Sequence, residues 1–120
     1  MPTSVDLAWL AGIVDGEGCL TVKRPRIIIA NTEDSIIDTC KKILKDFGIY
    51  FTISSSFPSR AKKVIYRVDV SRHVEVAALC ILLHPYLKSV ARLNKMDQMM
   101  RILENRRPRR MKRANLPVSV

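Results

Sequence analysis

Two carboxylates separated by one glycine, Asp15 and Glu17 in Val14-Asp15-Gly16-Glu17-Gly18, are the residues of this chain best suited to chemistry. Residues 6–16 read as a helix: Leu7, Leu10 and Val14 recur at helical spacing, Asp6 or Ser4 serves as the cap, and Gly16 and Gly18 stop it. Both acids then sit at the helix C-terminal end, where the dipole is negative and each carboxylate is disfavoured by roughly 0.3–1 kcal/mol. A cation there reverses the sign. Oxygen ligands flanked by glycines suit a hard divalent ion such as Mg²⁺, which retains several waters. If the helix pairs with its own copy about a two-fold axis, two Glu17 side chains approach each other. That is the arrangement of a two-metal phosphodiester site. A solvated pair of loop carboxylates is the plainer reading of the same residues.

The helix carries its own reason to pair. Ala8, Gly12 and Gly16 recur every four residues, with Ala11 adjacent, and small residues at this spacing leave a groove into which a second backbone fits. Glycine inside a helix costs about 1 kcal/mol relative to alanine, so two on one face call for close packing in return. The simpler alternative is that Gly16 only ends the helix.

The rest of the chain supplies a scaffold. Residues 19–24 alternate as a half-buried strand, with Leu20 and Val22 on one face and Thr21 and Lys23 on the other. Pro25 turns the chain into a second strand, 26–31. Residues 34–47 are an amphipathic helix burying Ile36, Ile37, Cys40, Ile43, Leu44 and Phe47, capped from Thr32–Asp34 and ended by Gly48. Strands at 49–56 and 62–71 follow, the second with Val64, Tyr66, Val68 and Val70 on one face. An apolar helix spans 73–84 up to Pro85. A last helix, about 92–104, turns Leu93, Met96, Met100 and Leu103 inward. The order is αββαββαα, with helices covering one face of the sheet. Residues 1–104 form one domain, and 105–120 form a basic tail too charged to pack.

The chain has 120 residues and a net charge of +10, which points to a polyanionic partner, nucleic acid first. The charge is concentrated at Lys23, Arg24 and Arg26, at Arg60, Lys62, Lys63, Arg67 and Arg72 against Asp69, and in the tail. No apolar run approaches the roughly 20 residues a membrane span needs, and no signal peptide is evident. Cys19, Cys40 and Cys80 fit no zinc or disulfide spacing. All three read as small buried residues, consistent with an intracellular, reducing compartment, cytoplasm or organelle. His73 and His84 lack a catalytic partner and read as capping or core histidines.

Leu10-Ala11-Gly12-Ile13-Val14-Asp15-Gly16-Glu17-Gly18 resembles the LAGLIDADG motif of homing endonucleases. It is identical at Leu10, Ala11, Gly12, Asp15 and Gly18, conservative at Ile13 and Val14, and keeps an acid at Glu17. The resemblance, of the single-motif type, implies an α+β αββαββαα fold with a saddle-shaped antiparallel sheet lying in the DNA major groove. It implies a homodimer built on the motif helices, with Ala8, Ala11, Gly12, Asp15 and Gly16 at the interface. Glu17 would bind catalytic Mg²⁺, helped by the Gly16 carbonyl, and Asp15 would support the helix pair. The implied reaction is a metal-dependent cut of a long pseudo-palindromic duplex, leaving staggered ends with 3′ overhangs, in an intron or intein setting. Asn31 matches the polar residue that the family places beside metal-bound waters; the plainer role is strand-ending or helix-capping. Many members carry a lysine five residues after the proline that Pro85 matches. Val90 stands there in this chain, with Lys88 and Arg92 nearby as substitutes.

A major groove about 12 Å wide admits a two-stranded ribbon. Candidate DNA contacts are Thr21, Lys23, Arg24, Arg26, Lys62, Lys63, Arg67, Asp69 and Arg72, with Arg suited to guanine, Asp to cytosine, and Ser54–Ser56 to phosphates or bases. Solvated charge is the plainer reading of each. No small-molecule substrate is expected. The alternatives are a DNA-binding protein of this fold that has lost cleavage, which Val90 favours, or an RNA-binding intron-splicing helper.

Overall fold

The computed structural model describes residues 3–58 and 62–106. The expected basic tail, apart from its first residues, therefore lies outside the described residues, as does Arg60. Among the described residues nine elements follow in chain order: α1 (Ser4–Glu17), β1 (Gly18–Thr21), β2 (Arg26–Asn31), α2 (Asp34–Asp46), β3 (Thr52–Ser56), β4 (Ile65–Val70), α3 (His73–Leu83), a 3₁₀ turn (His84–Tyr86) and α4 (Val90–Arg106). The strands form one antiparallel sheet in the order β1-β2-β4-β3. Two hairpins are thus joined through their inner strands. The architecture is the α+β αββαββαα fold expected from the sequence.

Strand parity decides which side meets the helices. Ile27 and Ile29 of β2 pair with Val70 and Val68 of β4, and all four are at most 2% exposed. The helices bury that face, with Leu10, Leu44, Leu79, Leu83, Met96 and Met99 completing the core. Each such side chain removed from water contributes on the order of 1.5–3 kcal/mol. The opposite face presents Thr21, Arg26, Arg67, Asp69, Thr52, Ser54 and Ser56.

Element ends differ from expectation for local reasons. Helix α1 starts at Ser4 because Thr3 is the cap: its hydroxyl accepts from the Asp6 N–H at 3.2 Å, and Asp6 returns a carboxylate oxygen to the Thr3 N–H at 3.0 Å. That reciprocal pair satisfies two otherwise free donors. Strand β1 stops at Thr21, since residues 22–25 form the hairpin turn and Pro25 has no ladder donor. Strand β3 starts only at Thr52 because Ile49 still donates to the Leu44 carbonyl of α2, at 2.8 Å. Gly48, at φ +72°, makes that helix exit. The pairing of β4 begins at Ile65, opposite Ser56, the last residue of β3 before Phe57-Pro58. Helix α4 continues past the expected boundary at 104 to Arg106 and begins at Val90 rather than 92. It also buries Met99 fully.

The cysteines divide. Cys40 and Cys80 are buried, and burial pushes their thiols up to about 11 and about 12. Cys19 is exposed on the outer face of β1, against the expectation that all three are buried. A thiol reagent applied to the folded protein at neutral pH should label Cys19 alone, with the other two reacting only in denaturant. Labelling of all three at equal rates would contradict this packing.

Candidate active site and nucleic-acid interface

The C-terminal end of α1 meets three other parts of the chain, and each contact answers the charge placed there. Asp15 accepts the Lys88 N–H at 2.8 Å and the Ser89 N–H at 3.1 Å, just ahead of α4. Its negative charge therefore faces the positive end of another helix dipole. Ser89 in turn accepts the Arg92 N–H through its hydroxyl, which brings Arg92 into the first turn of α4. Arg92 reaches back to donate from Nη2 to the Gly18 carbonyl at 2.9 Å, and its Nε is buried without a partner. A cation thus sits where the α1 carbonyls are left over.

Glu17 is exposed, and the Asn31 side-chain amide donates to its carboxylate. The Asn31 carbonyl oxygen accepts the Glu33 N–H at 2.8 Å, so the same residue holds the entry to α2. Asn31 thus ends a strand at a helix start, the plainer of its two expected roles, and its amide also lies against the motif acid. The short links from α1 to β1 and from β2 to α2 make this meeting possible, because Gly18 pairs with Ile29, two residues before Asn31. Among the described residues no three His, Cys, Asp or Glu side chains come together. The oxygen donors at this end of a single chain include the carboxylate of exposed Glu17 and the backbone carbonyl of exposed Gly16, with the Asp15 carboxylate turned to Lys88 and Ser89. Lys88 is exposed, and its backbone is pinned by Asp15. Val90, at the position of the family lysine, is 70% exposed.

Gly18 is glycine for steric reasons. A methyl group there would lie 2.7 Å from the Val14 carbonyl oxygen and 2.9 Å from Val14 Cα. Gly18→Ala must therefore shift the α1–β1 junction, at a cost of about 1–3 kcal/mol. Urea unfolding of the variant should show that loss, and an unchanged midpoint would contradict it.

Gly12 and Gly16 are the reverse case: an added methyl meets nothing within 4 Å at either. They lie with Ala8, Val5 (74% exposed) and Trp9 (36% exposed) on the solvent side of α1, while Leu10, Ala11 and Val14 face the core. Ala11 does not belong to the outer face, contrary to the sequence-based interface set: it is 0% exposed and packed in the chain's own core. Both oxygens of Asp15 are also engaged within the chain rather than aimed at a second helix. Ala8, Gly12 and Gly16 are the members of that set exposed on the helix.

The expected DNA contacts gather on the outer sheet face and the two ends of the sheet. Thr21, Arg26, Arg67 and Asp69 share that face by register. The β1–β2 turn with Lys23 and Arg24 lies at one end, together with Arg72, which stacks 3.8 Å over the Tyr50 ring. Lys62 and Lys63 precede β4 at the other end, on the Asn31 side, rather than within the strand. Arg67 donates to the Ser56 hydroxyl at 2.8 Å. Arg26 and Asp69 pair with each other, which raises the Arg26 pKa through the Asp69 hydrogen bond. Each Asp69 oxygen thus accepts one donor from Arg26, a partner the sequence did not show. The Tyr50 contact had no sequence signal; an aromatic residue near a strand start is usually core.

Comparison with known proteins places this geometry. The model of the LAGLIDADG-like domain matches residues 4–80, from the start of α1 through most of α3. No curated protein matches the chain by sequence. Two crystal structures of the homing endonuclease I-CvuI share its fold. One is in complex with the I-CreI target (C1221) in the presence of 2 mM Mg, with the DNA not cleaved: TM-score 0.62, 17% identity, 83% of this chain and 66% of that one covered. The other is in complex with its own target (Sro1.3) in the presence of 2 mM Ca: TM-score 0.64, 17% identity, 84% and 67% covered. This chain thus spans about two thirds of the length of either structure. With the motif at the end of α1 and the fold around it, the chain belongs to the family of LAGLIDADG-like domains.

Proposed function

We propose that this protein is a site-specific, Mg²⁺-dependent DNA endonuclease that acts as a homodimer on a long pseudo-palindromic duplex and leaves staggered ends. The observation that carries the reading is the meeting of Glu17 and Asn31 at the end of a helix whose outer face has open space at Gly12 and Gly16. That face suits a second copy of α1, which brings the partner's Glu17 beside this one about the two-fold axis. The I-CvuI structures, with DNA targets and Mg or Ca, support duplex DNA and divalent metal as partners. The free thiols suit an intracellular, reducing setting.

The donors fit a hard divalent ion: oxygen atoms only, one carboxylate per chain and a main-chain carbonyl, both on exposed residues. Glu17 with the Gly16 carbonyl would hold it, and the chemistry it would supply there is activation of water toward a phosphodiester. The chain's own residues do the rest. Asn31 fixes the orientation of the Glu17 carboxylate through its amide. Arg92 and Lys88 bring positive charge to the site, where the scissile phosphate gathers negative charge. The outer sheet face, with Thr21, Arg26 and Arg67, enters the major groove, and Lys23, Arg24, Lys62, Lys63 and Arg72 meet phosphates at its two ends.

Val90 favours a second reading, a DNA-binding protein of the same fold without cleavage. A library of long, partly palindromic duplexes incubated with Mg²⁺, with Ca²⁺ as control, separates the two by sequencing of ends. Staggered ends at one sequence, made in Mg²⁺ only, are expected. Selective retention of a sequence without ends would favour the binding protein, and no selection of any duplex would contradict both.

A further inference from the structure

Arg26 opens β2 on the outer sheet face, and Asp69 lies in β4 opposite Ile28 on the same face. Arg26 Nε donates to Asp69 Oδ1 at 3.3 Å and Nη2 donates to Oδ2. The pair is thus side-on, through one edge of the planar guanidinium. The other edge, Nη1 and the second hydrogen of Nη2, has no hydrogen-bond acceptor among the described residues. The Arg26 side chain is 44% exposed, against 19% for Asp69. Beside it lies an open depression of about 410 Å³ lined by Arg24, Pro25, Arg26, Ser71 and His73.

On the DNA-binding reading proposed above, we infer that Arg26 reads a guanine in each half-site and that Asp69 is the positioning residue that aims it. Two parallel donors on a fixed plane match the O6 and N7 acceptors that guanine shows in the major groove. A phosphate contact fits the pair less well, because Asp69 would bring a carboxylate close to the phosphate and cancel the charge that attracts it. A free arginine would instead have to be ordered on binding, whereas the cross-strand pair holds the guanidinium plane before DNA arrives. Asp69 contributes no base contact of its own.

The test is binding selection from a randomised duplex library without divalent metal, comparing wild type with Asp69→Asn, Arg26→Ala and Arg26→Lys. Wild type is expected to select a sequence with one guanine per half-site that Arg26→Ala relaxes by on the order of tenfold to a hundredfold. Asp69→Asn should relax the same position while total affinity for arbitrary duplex stays level or rises, which loss of a merely structural pair would not produce. Arg26→Lys keeps the ion pair but lacks the planar two-donor edge, so it should also relax that position. It carries the test if Asp69→Asn fails to fold. Unchanged preference at every position in the Arg26 variants, or relaxation at a base other than guanine, overturns the inference and leaves the DNA-binding reading standing. Absence of any selected sequence with wild type overturns both.

Discussion

Glu17→Gln should abolish cleavage while leaving the fold and sequence-selective DNA binding in place. Glutamine keeps the size of the side chain and can still hydrogen-bond with Asn31, so the link between α1 and β2 survives. What is lost is the negative charge that would hold a divalent ion at an all-oxygen site. A site that relies on metal-activated water loses most of its rate when the ion is lost, and a fall of about a thousandfold or more is expected, given the several kcal/mol that such an ion supplies. The check pairs a gel assay of cut duplex in Mg²⁺ with a binding assay in Ca²⁺. Equal cutting by wild type and variant would remove Glu17 from the chemistry. Loss of binding together with cutting would show that Glu17 supports the interface instead. Asn31→Ala should be milder, because it leaves the charge and removes only the amide that orients it.

The second large effect concerns Gly12, where one substitution should act in opposite directions on fold and assembly. Because nothing lies within 4 Å of an added methyl, Gly12→Ala should raise the stability of the single chain by up to about 1 kcal/mol, the usual helix gain over glycine. At a helix pair the same methyl takes up the space into which the second backbone fits. Gly12→Leu goes further: overpacking of about 1–3 kcal/mol, met twice across a two-fold axis, should weaken the dimer by on the order of thirtyfold or more. Sedimentation equilibrium measures the assembly, and emission of Trp9, the single tryptophan, reports whether the outer face of α1 is covered. A Gly12→Leu protein with the mass and emission of wild type would place the interface elsewhere.

Much of this structure was legible because periodicity is a local signal. The alternation of Val68 and Val70, the stripe of Ile37, Cys40, Ile43 and Leu44, and the break at Gly48 each depend on neighbours in sequence, and each is where the pattern put it. Strand order was not local: nothing in β2 or β4 alone says that the two hairpins join through them. The motif gave the identity of the acid at Glu17, but the partners at that helix end came from far along the chain. Asp15 meets Lys88 and Ser89 across more than 70 residues, and Arg92 meets Gly18 at the same remove. Ala11 shows the limit of reading faces from residue size. Small residues mark close approach on either side of a helix, and at Ala11 the approach is to the chain's own core. Asp69 shows what reading charge residue by residue leaves out, since its arginine partner lies on the neighbouring strand, 43 residues away.

The most direct measurement is the mass of the Glu17→Gln protein on its selected duplex by native mass spectrometry. Two chains per duplex are expected, each supplying one Glu17 position to a site that one chain only half provides. A single chain per duplex, in a preparation whose wild-type form still cuts both strands, would contradict it.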